Sequence, residues 1–157
     1  MPEQVPTPLI AEIYQAFAGF EKPHRYIVDD LYEPERLDYE DMLGDKTREA
    51  IEADDLGHVA WSPLYHLSPK AVAYLLPRLI ELAENGSRDR LGEPILSRLI
   101  GYVSDGPSSA HFSLLGREQR SVIARYLRHV AAEHSQQAQD ECWEDSLADA
   151  IREWPTV

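Results

Sequence analysis

Long hydrophobic runs are missing from this chain of 157 residues. No stretch approaches the roughly 18 consecutive apolar residues that a membrane-spanning helix needs, so no membrane partner is expected. Cysteine is nearly absent as well. Cys142 stands alone, which excludes an internal disulfide and makes the cytoplasm the expected compartment. The opening MPEQVPTPLIAEIY has no basic segment followed by an apolar one and does not read as a secretion signal. The compact motifs of common chemistries are missing too. The sequence holds no HExxH, no CxxC, no calcium-loop pattern, no Gly-x-Ser-x-Gly and no phosphate loop ending in Gly-Lys-Ser/Thr. No cofactor and no metal site is therefore expected.

What the chain has is acid. The formal charge is −13, and it is unevenly spread. Residues 29–55, DDLYEPERLDYEDMLGDKTREAIEADD, hold twelve acids against Arg36, Lys46 and Arg48, a net of −9. Residues 129–157 add −6, whereas residues 70–128 carry nine bases and six acids, a net of +3. Nucleic-acid partners are disfavoured, because neutralisation of phosphates by Lys and Arg supplies most non-specific affinity. The acidic segment reads as a solvated, solubilising surface, or more sharply as a face for a basic partner. Asp38, Asp41 and Asp45 represent that second reading.

Composition, with 43% hydrophobic and 27% charged residues, is that of a folded globular chain long enough for one core. Helical punctuation recurs along it. Thr7-Pro8 predicts a capped helix start, followed by Leu9, Ile10, Ile13, Tyr14 and Phe17 at helical spacing. A polar helix is expected from about Pro34 to Leu43, ending at Gly44, and a short one from about Lys46 to Ala53. Residues 54–67 lack a clean period and read as ordered loop with one short extended piece. Ser68-Pro69 opens the strongest helix, with Val72, Leu75, Leu76, Leu79, Ile80 and Ala83 on one face and Asn85-Gly86 at its end.

Pro77 falls inside that helix. Its missing N–H leaves the Ala73 carbonyl without its helical donor, and its ring crowds the same carbonyl, at about 3 kcal/mol in an ordinary helix interior. A kink that fits the helix to its neighbours is the expectation. Ile95–Val103 predicts the next helix, Gly116 to about His134 another, with Gln119 able to reach back to the chain entry. A last helix is expected from about Gln137 to Trp154. The fold class is thus all-α: a single domain of about five to seven helices with a proline-kinked central helix and irregular loops.

Three blocks of this sequence resemble a known family. L-S-P-K-A-V-A-Y-L-L-P-R-L (67–79), F-S-L-L-G-R-E-Q-R-S-V-I-A-R-Y-L-R-H-V (112–130) and I-A-E-I-Y-Q-A-F-A-G (10–19) are similar to the signature blocks of a family of small bacterial proteins of unknown function. Gly116, Val72 and Leu75 depart from that signature. The resemblance implies a compact helical domain and brings no activity with it.

Side chains that carry chemistry are scattered. His129 and His134 are five apart, which sets them about 140° apart around a continuous helix. His129 and Glu133 are better spaced, but a lone pair makes a poor metal site. Cys142 lies between Glu141 and Glu144, a setting that opposes thiolate formation. Ser108, Ser109 and His111 share a turn with no orienting acid except Asp105. Arg117, Arg120, Arg125 and Arg128 are expected to pair with acids of the 29–55 segment or of the last helix.

The candidate binding surface is a rim of Trp61, His66, Tyr74 and Arg78. The loop runs directly into the helix, and Tyr74 and Arg78 are i, i+4 on it. The same residues could instead close the core. The leading functional expectation is a non-catalytic module for protein–protein interaction that neutralises a basic partner. The rival is a small-molecule binder or enzyme using His66, Tyr74, Arg78 and His111. A structural, homo-oligomeric role stands beside both.

Overall fold

The computed structural model describes residues 7–155. The reading of the N-terminus as lacking a secretion signal falls in part on residues 1–6, outside the described residues. Among those described there are seven α-helices and four short 3-10 turns, with isolated bridges in place of strands. The all-α expectation holds. Among the described residues no helix is long and apolar enough to cross a membrane.

Helix α1 (Pro8–Ala16) begins as its sequence dictates: the Thr7 hydroxyl accepts the Ile10 N–H at 3.3 Å and Pro8 takes the first helical position. Its Ile10 and Ile13 are buried. Helix α2 (Glu33–Leu43) ends at Gly44, whose φ of 62° is left-handed. The expected helix from Lys46 to Ala53 does not form. That segment instead makes 3-10 turns at Arg48–Ala50 and Ala53–Leu56, because its polar atoms bond outward to tertiary partners. The Tyr26 hydroxyl donates to the Lys46 carbonyl, and the Arg48 N–H donates to the Tyr74 hydroxyl at 3.0 Å.

Helix α3 (Pro69–Glu84) is the core element. Ser68 caps it by accepting the Ala71 N–H at 3.1 Å, and the helix continues through Pro77 in one piece. Eleven of its sixteen residues are buried, Pro77 among them. Burial on that scale, at ~1.5–3 kcal/mol for each large side chain, outweighs the ~3 kcal/mol that one interior proline costs. Helices α4 (Ile95–Val103) and α5 (Arg117–Glu133) pack around it, α4 directly on α3 and α1 across α5. Gln119 performs the predicted reach: its Oε1 accepts the Gly116 N–H at 2.7 Å. Its Nε2 donates to the Ala16 carbonyl at 2.8 Å, which ties α5 to the end of α1.

The single last helix of the sequence reading is two, α6 (Ser135–Asp140) and α7 (Glu144–Glu153). The break is a Schellman turn. The Cys142 N–H donates to the Gln139 carbonyl at 3.2 Å and the Trp143 N–H to the Ala138 carbonyl at 2.9 Å. Helix α3 ends the same way, with Gly86 donating to Ala83 and Ser87 to Leu82. There a glycine holds the left-handed position, at φ 74°, whereas in the second turn Cys142 holds it at φ 62°. Without a glycine to mark it, the stop was invisible in sequence. The turn lets Trp143 and Ala138 bury together and aims α7 back at α4 and α5. There the Trp154 indole N–H donates to the Val103 carbonyl at 2.8 Å.

Candidate functional site

Helix α2 is amphipathic in an unusual way. Of its eleven residues Tyr39 and Leu43, at i and i+4, are buried, and Glu40 turns inward to accept the Ile27 N–H at 2.7 Å. Arg36 and Met42 are half-buried, and the rest of the helix faces out. Asp38, Asp41 and Asp45 are exposed, and beside them Leu37 is 51% and Tyr32 72% exposed. The three bases of the segment are already engaged by acids: Arg36 by Glu33 at 3.8 Å, Lys46 by Asp55 at 2.7 Å and Arg48 by Glu49 at 3.1 Å. No ion pair among the described residues takes up Asp38, Asp41 or Asp45.

Trp61, His66, Tyr74 and Arg78 divide into two groups. Trp61 and His66 both stack on Tyr39, with ring centroids 4.9 Å and 5.1 Å away, and so clamp α2 to the 57–67 loop. Tyr74 stacks instead on Tyr26 at 6.5 Å. The Arg48 guanidinium lies 5.3 Å from both the Tyr14 and the Tyr74 ring centres, a cation–π contact on two faces. Arg78 donates to the Ile51 carbonyl at 2.8 Å, to Glu52 at 3.3 Å and to Glu81. Glu81 also accepts the Tyr14 hydroxyl at 3.0 Å. Burial works against the Arg78 charge, but the hydrogen bond and charge of Glu81, with Glu52 behind it, hold its pKa above the ordinary value. Tyr74 and Arg78 thus bind the 46–52 segment to α3.

None of the four lines the larger clefts of the surface. One of them, about 770 Å³, opens between the 19–29 loop and the start of α3 and carries Lys22, His24, Arg25 and Lys70. Glu21 and Asp29 line it as well, with Arg25 paired to Asp29 at 3.6 Å, and the short run EKPHR (21–25) was its only sequence signal. His111 packs against Tyr102 and Phe112. Burial, countered in part by Asp105 and reinforced by His66, holds its imidazole below the ordinary value.

Two of the four arginines of α5, Arg120 and Arg125, depart from expectation in their partners. Arg125 pairs with Glu12 of α1 at 2.6 Å, not with the acidic segment or the last helix, and Arg120 donates to the Leu115 carbonyl at 3.1 Å.

The two histidines of α5 also depart from expectation. The helix stops at Glu133, and His134, at φ −124° and ψ 19°, leaves the helical path. Its ring swings back to stand 6.0 Å from that of His129, edge to face. Both rings aim Nε2 at Glu84, the last residue of α3: His129 Nε2 lies 2.8 Å from Oε1, and His134 Nε2 lies 3.3 Å from each oxygen. The Tyr126 hydroxyl donates to Oε2 of the same carboxylate at 3.1 Å. Burial alone would raise the Glu84 carboxyl, but the hydrogen bonds of the two histidines outweigh it and hold Glu84 below the usual carboxylate range. All three side chains are half-buried. Glu84 is distant in sequence, 45 residues from His129, so no spacing rule could have found the cluster.

A protein-family model described as "Family of unknown function (DUF6714)" matches residues 7–155. The chain belongs to that family. No curated protein and no solved structure matches it.

Proposed function

We propose that this chain is an interaction module whose α2 and following turn receive a basic, partly apolar segment of another protein. The observation that supports the reading is the pairing state of the acids. Every base of the acidic segment is engaged, yet Asp38, Asp41 and Asp45 have no ion-pair partner among the described residues, and the same stretch exposes Leu37 and, at its start, Tyr32. Carboxylates that serve solubility alone do not need a leucine and a tyrosine presented among them, whereas an interface combines apolar contact with a charged rim. A partner rich in Lys or Arg and carrying apolar residues at helical spacing complements both features. The same charge opposes nucleic-acid phosphates. A cytoplasmic setting fits the single exposed Cys142.

The small-molecule alternative has less behind it. Tyr74 and Arg78 are engaged in holding the 46–52 segment, and His66 is stacked on Tyr39.

The test uses the full chain and two synthetic peptides of equal charge, one an amphipathic Lys/Leu helix and the other a run of lysines. At ~0.3 M salt loose charge attraction is screened while a packed interface persists. The chain is expected to bind the amphipathic peptide, not the lysine run, and to lose that binding in the triple variant D38N/D41N/D45N and in L37A. Equal binding of both peptides, no binding at that salt, or binding unchanged in the variants overturns the reading.

A further inference from the structure

Helices α3 and α5 bring their C-terminal ends to the same corner of the molecule, for Glu84 is the last residue of one and His134 caps the other. The C-terminal end of a helix carries a partial negative charge and favours a cation. Neither helix supplies one, since neither has a Lys or Arg in its last turn. Instead α3 places a carboxylate there, the sign that its own dipole disfavours.

Two histidines face that carboxylate. A divalent cation between the three side chains would compensate both helix ends and the carboxylate together.

The geometry points to a divalent transition-metal site of the zinc class formed by Glu84, His129 and His134. One carboxylate oxygen and two imidazole nitrogens are the donor set that zinc takes in sites with three protein ligands and an open position. With bonds of about 2.0–2.2 Å, the donors of a tetrahedral zinc stand roughly 3.3 Å apart. Here the donor atoms lie within 4.8 Å of one another, and the carboxylate-to-nitrogen separations are 2.8 Å and 3.3 Å. An ion can enter by a small outward movement of the rings. The edge-to-face arrangement of the imidazoles keeps both Nε2 atoms convergent.

Outer support is also present. The Tyr126 hydroxyl fixes the orientation of the carboxylate, and its ring stacks on His129 at 6.0 Å, the kind of outer contact that orients metal ligands. The half-buried setting leaves a coordination position for water or for a donor atom of another molecule. The site is separate from α2, and its occupancy does not depend on the interaction proposed above.

Zinc(II) alone, titrated into the metal-free full chain and followed by calorimetry, tests the inference. One ion is expected per chain. E84Q, H129N and H134N are each expected to weaken binding by more than the roughly 10- to 100-fold that loss of an outer-shell contact costs, and Y126F by about that amount.

A measurement on the unaltered chain guards against variants that fail to fold. In nitrogen-detected NMR the Nε2 signals of His129 and His134 should lose their protons and shift on zinc addition, while those of His24, His58, His66 and His111 stay in place. Zinc binding that survives all three ligand variants, or histidines of the cluster that keep their Nε2–H at saturating zinc, overturns the proposal. In that case the corner is a carboxylate hydrogen-bonded by Tyr126, His129 and His134 and nothing more.

Discussion

Arg98 and Asp89 meet at 3.2 Å with the carboxylate closed off from solvent and the guanidinium nearly so. Both side chains have further partners. Arg98 also donates to the Leu56 carbonyl at 2.6 Å and the Ser62 hydroxyl at 2.7 Å, while Asp89 accepts the N–H groups of Leu91 and Glu93. One ion pair therefore fastens two irregular stretches, 56–62 and 89–93, to α4. Removing one partner of a buried pair strands the other charge, so D89N and R98M should each cost about 3–5 kcal/mol in urea unfolding. A loss below about 1 kcal/mol, the scale of one ordinary hydrogen bond, would show that the loops are held by other means.

The left-handed Cys142 gives a prediction of the opposite sign. A side chain in that conformation costs about 1–2 kcal/mol per residue, against the 0.5–1 kcal/mol of extra chain entropy that glycine brings. C142G should raise stability by about 0.5–1 kcal/mol, while C142A, which keeps the strain, should change it little. Thermal melts of the pair decide the matter, and equal behaviour would remove strain as the cause.

Tyr102 presents a buried hydroxyl that finds no hydrogen-bond partner among the described residues. Its ring sits edge-on to Tyr65 and Phe112, so the aromatic part is well placed and the oxygen is the liability. Y102F should leave stability unchanged or raise it by about 1 kcal/mol. A clear loss in chemical denaturation would mean that the hydroxyl has a partner after all.

Acid should weaken the fold in part through His111. Its imidazole is held below 6.5 by burial, with Asp105 opposing and His66 reinforcing. The unfolded chain therefore takes up the proton first as the pH drops. The contribution is complete above about 6.5, the unfolded value, and is lost as pH falls from there through the lower folded value. H111F should flatten that part of the stability-against-pH curve, and an unchanged slope would assign it to other groups.

Helix starts were legible because they are local. Thr7-Pro8 and Ser68-Pro69 each set a cap and a fixed φ within two residues, and no distant contact is needed to make them work. Gln119 was readable for the same reason in its bond to Gly116, though not in its bond to Ala16, which depends on where α1 lies. What sequence concealed was decided at long range. The 46–53 stretch gives up helix because Tyr26, Tyr74 and Arg78 take its carbonyl and amide groups. The break at Cys142 follows from the joint burial of Ala138 and Trp143. The corner at Glu84 exists only because α3 and α5 finish side by side. The acidic face was visible as composition, but which acids remain unpaired emerged only with the positions of Arg36, Lys46 and Arg48.

The slender attachment of α2 has a consequence in time as well as in space. Two buried side chains, the Ile27 N–H donated to the Glu40 carboxylate, the Arg36 bond to the Asp29 carbonyl and the stacks of Trp61 and His66 on Tyr39 hold it, whereas α3 sinks eleven residues into the interior. Segments with so few buried contacts open locally at a free energy far below that of global unfolding. Amides of α2 should therefore exchange with deuterium early, while those of α3 wait for the whole molecule to open. The face that a partner would meet is then also the part of the chain that can change shape most freely. Recognition and the ordering of that helix would occur as one event, without disturbance of the interior behind it.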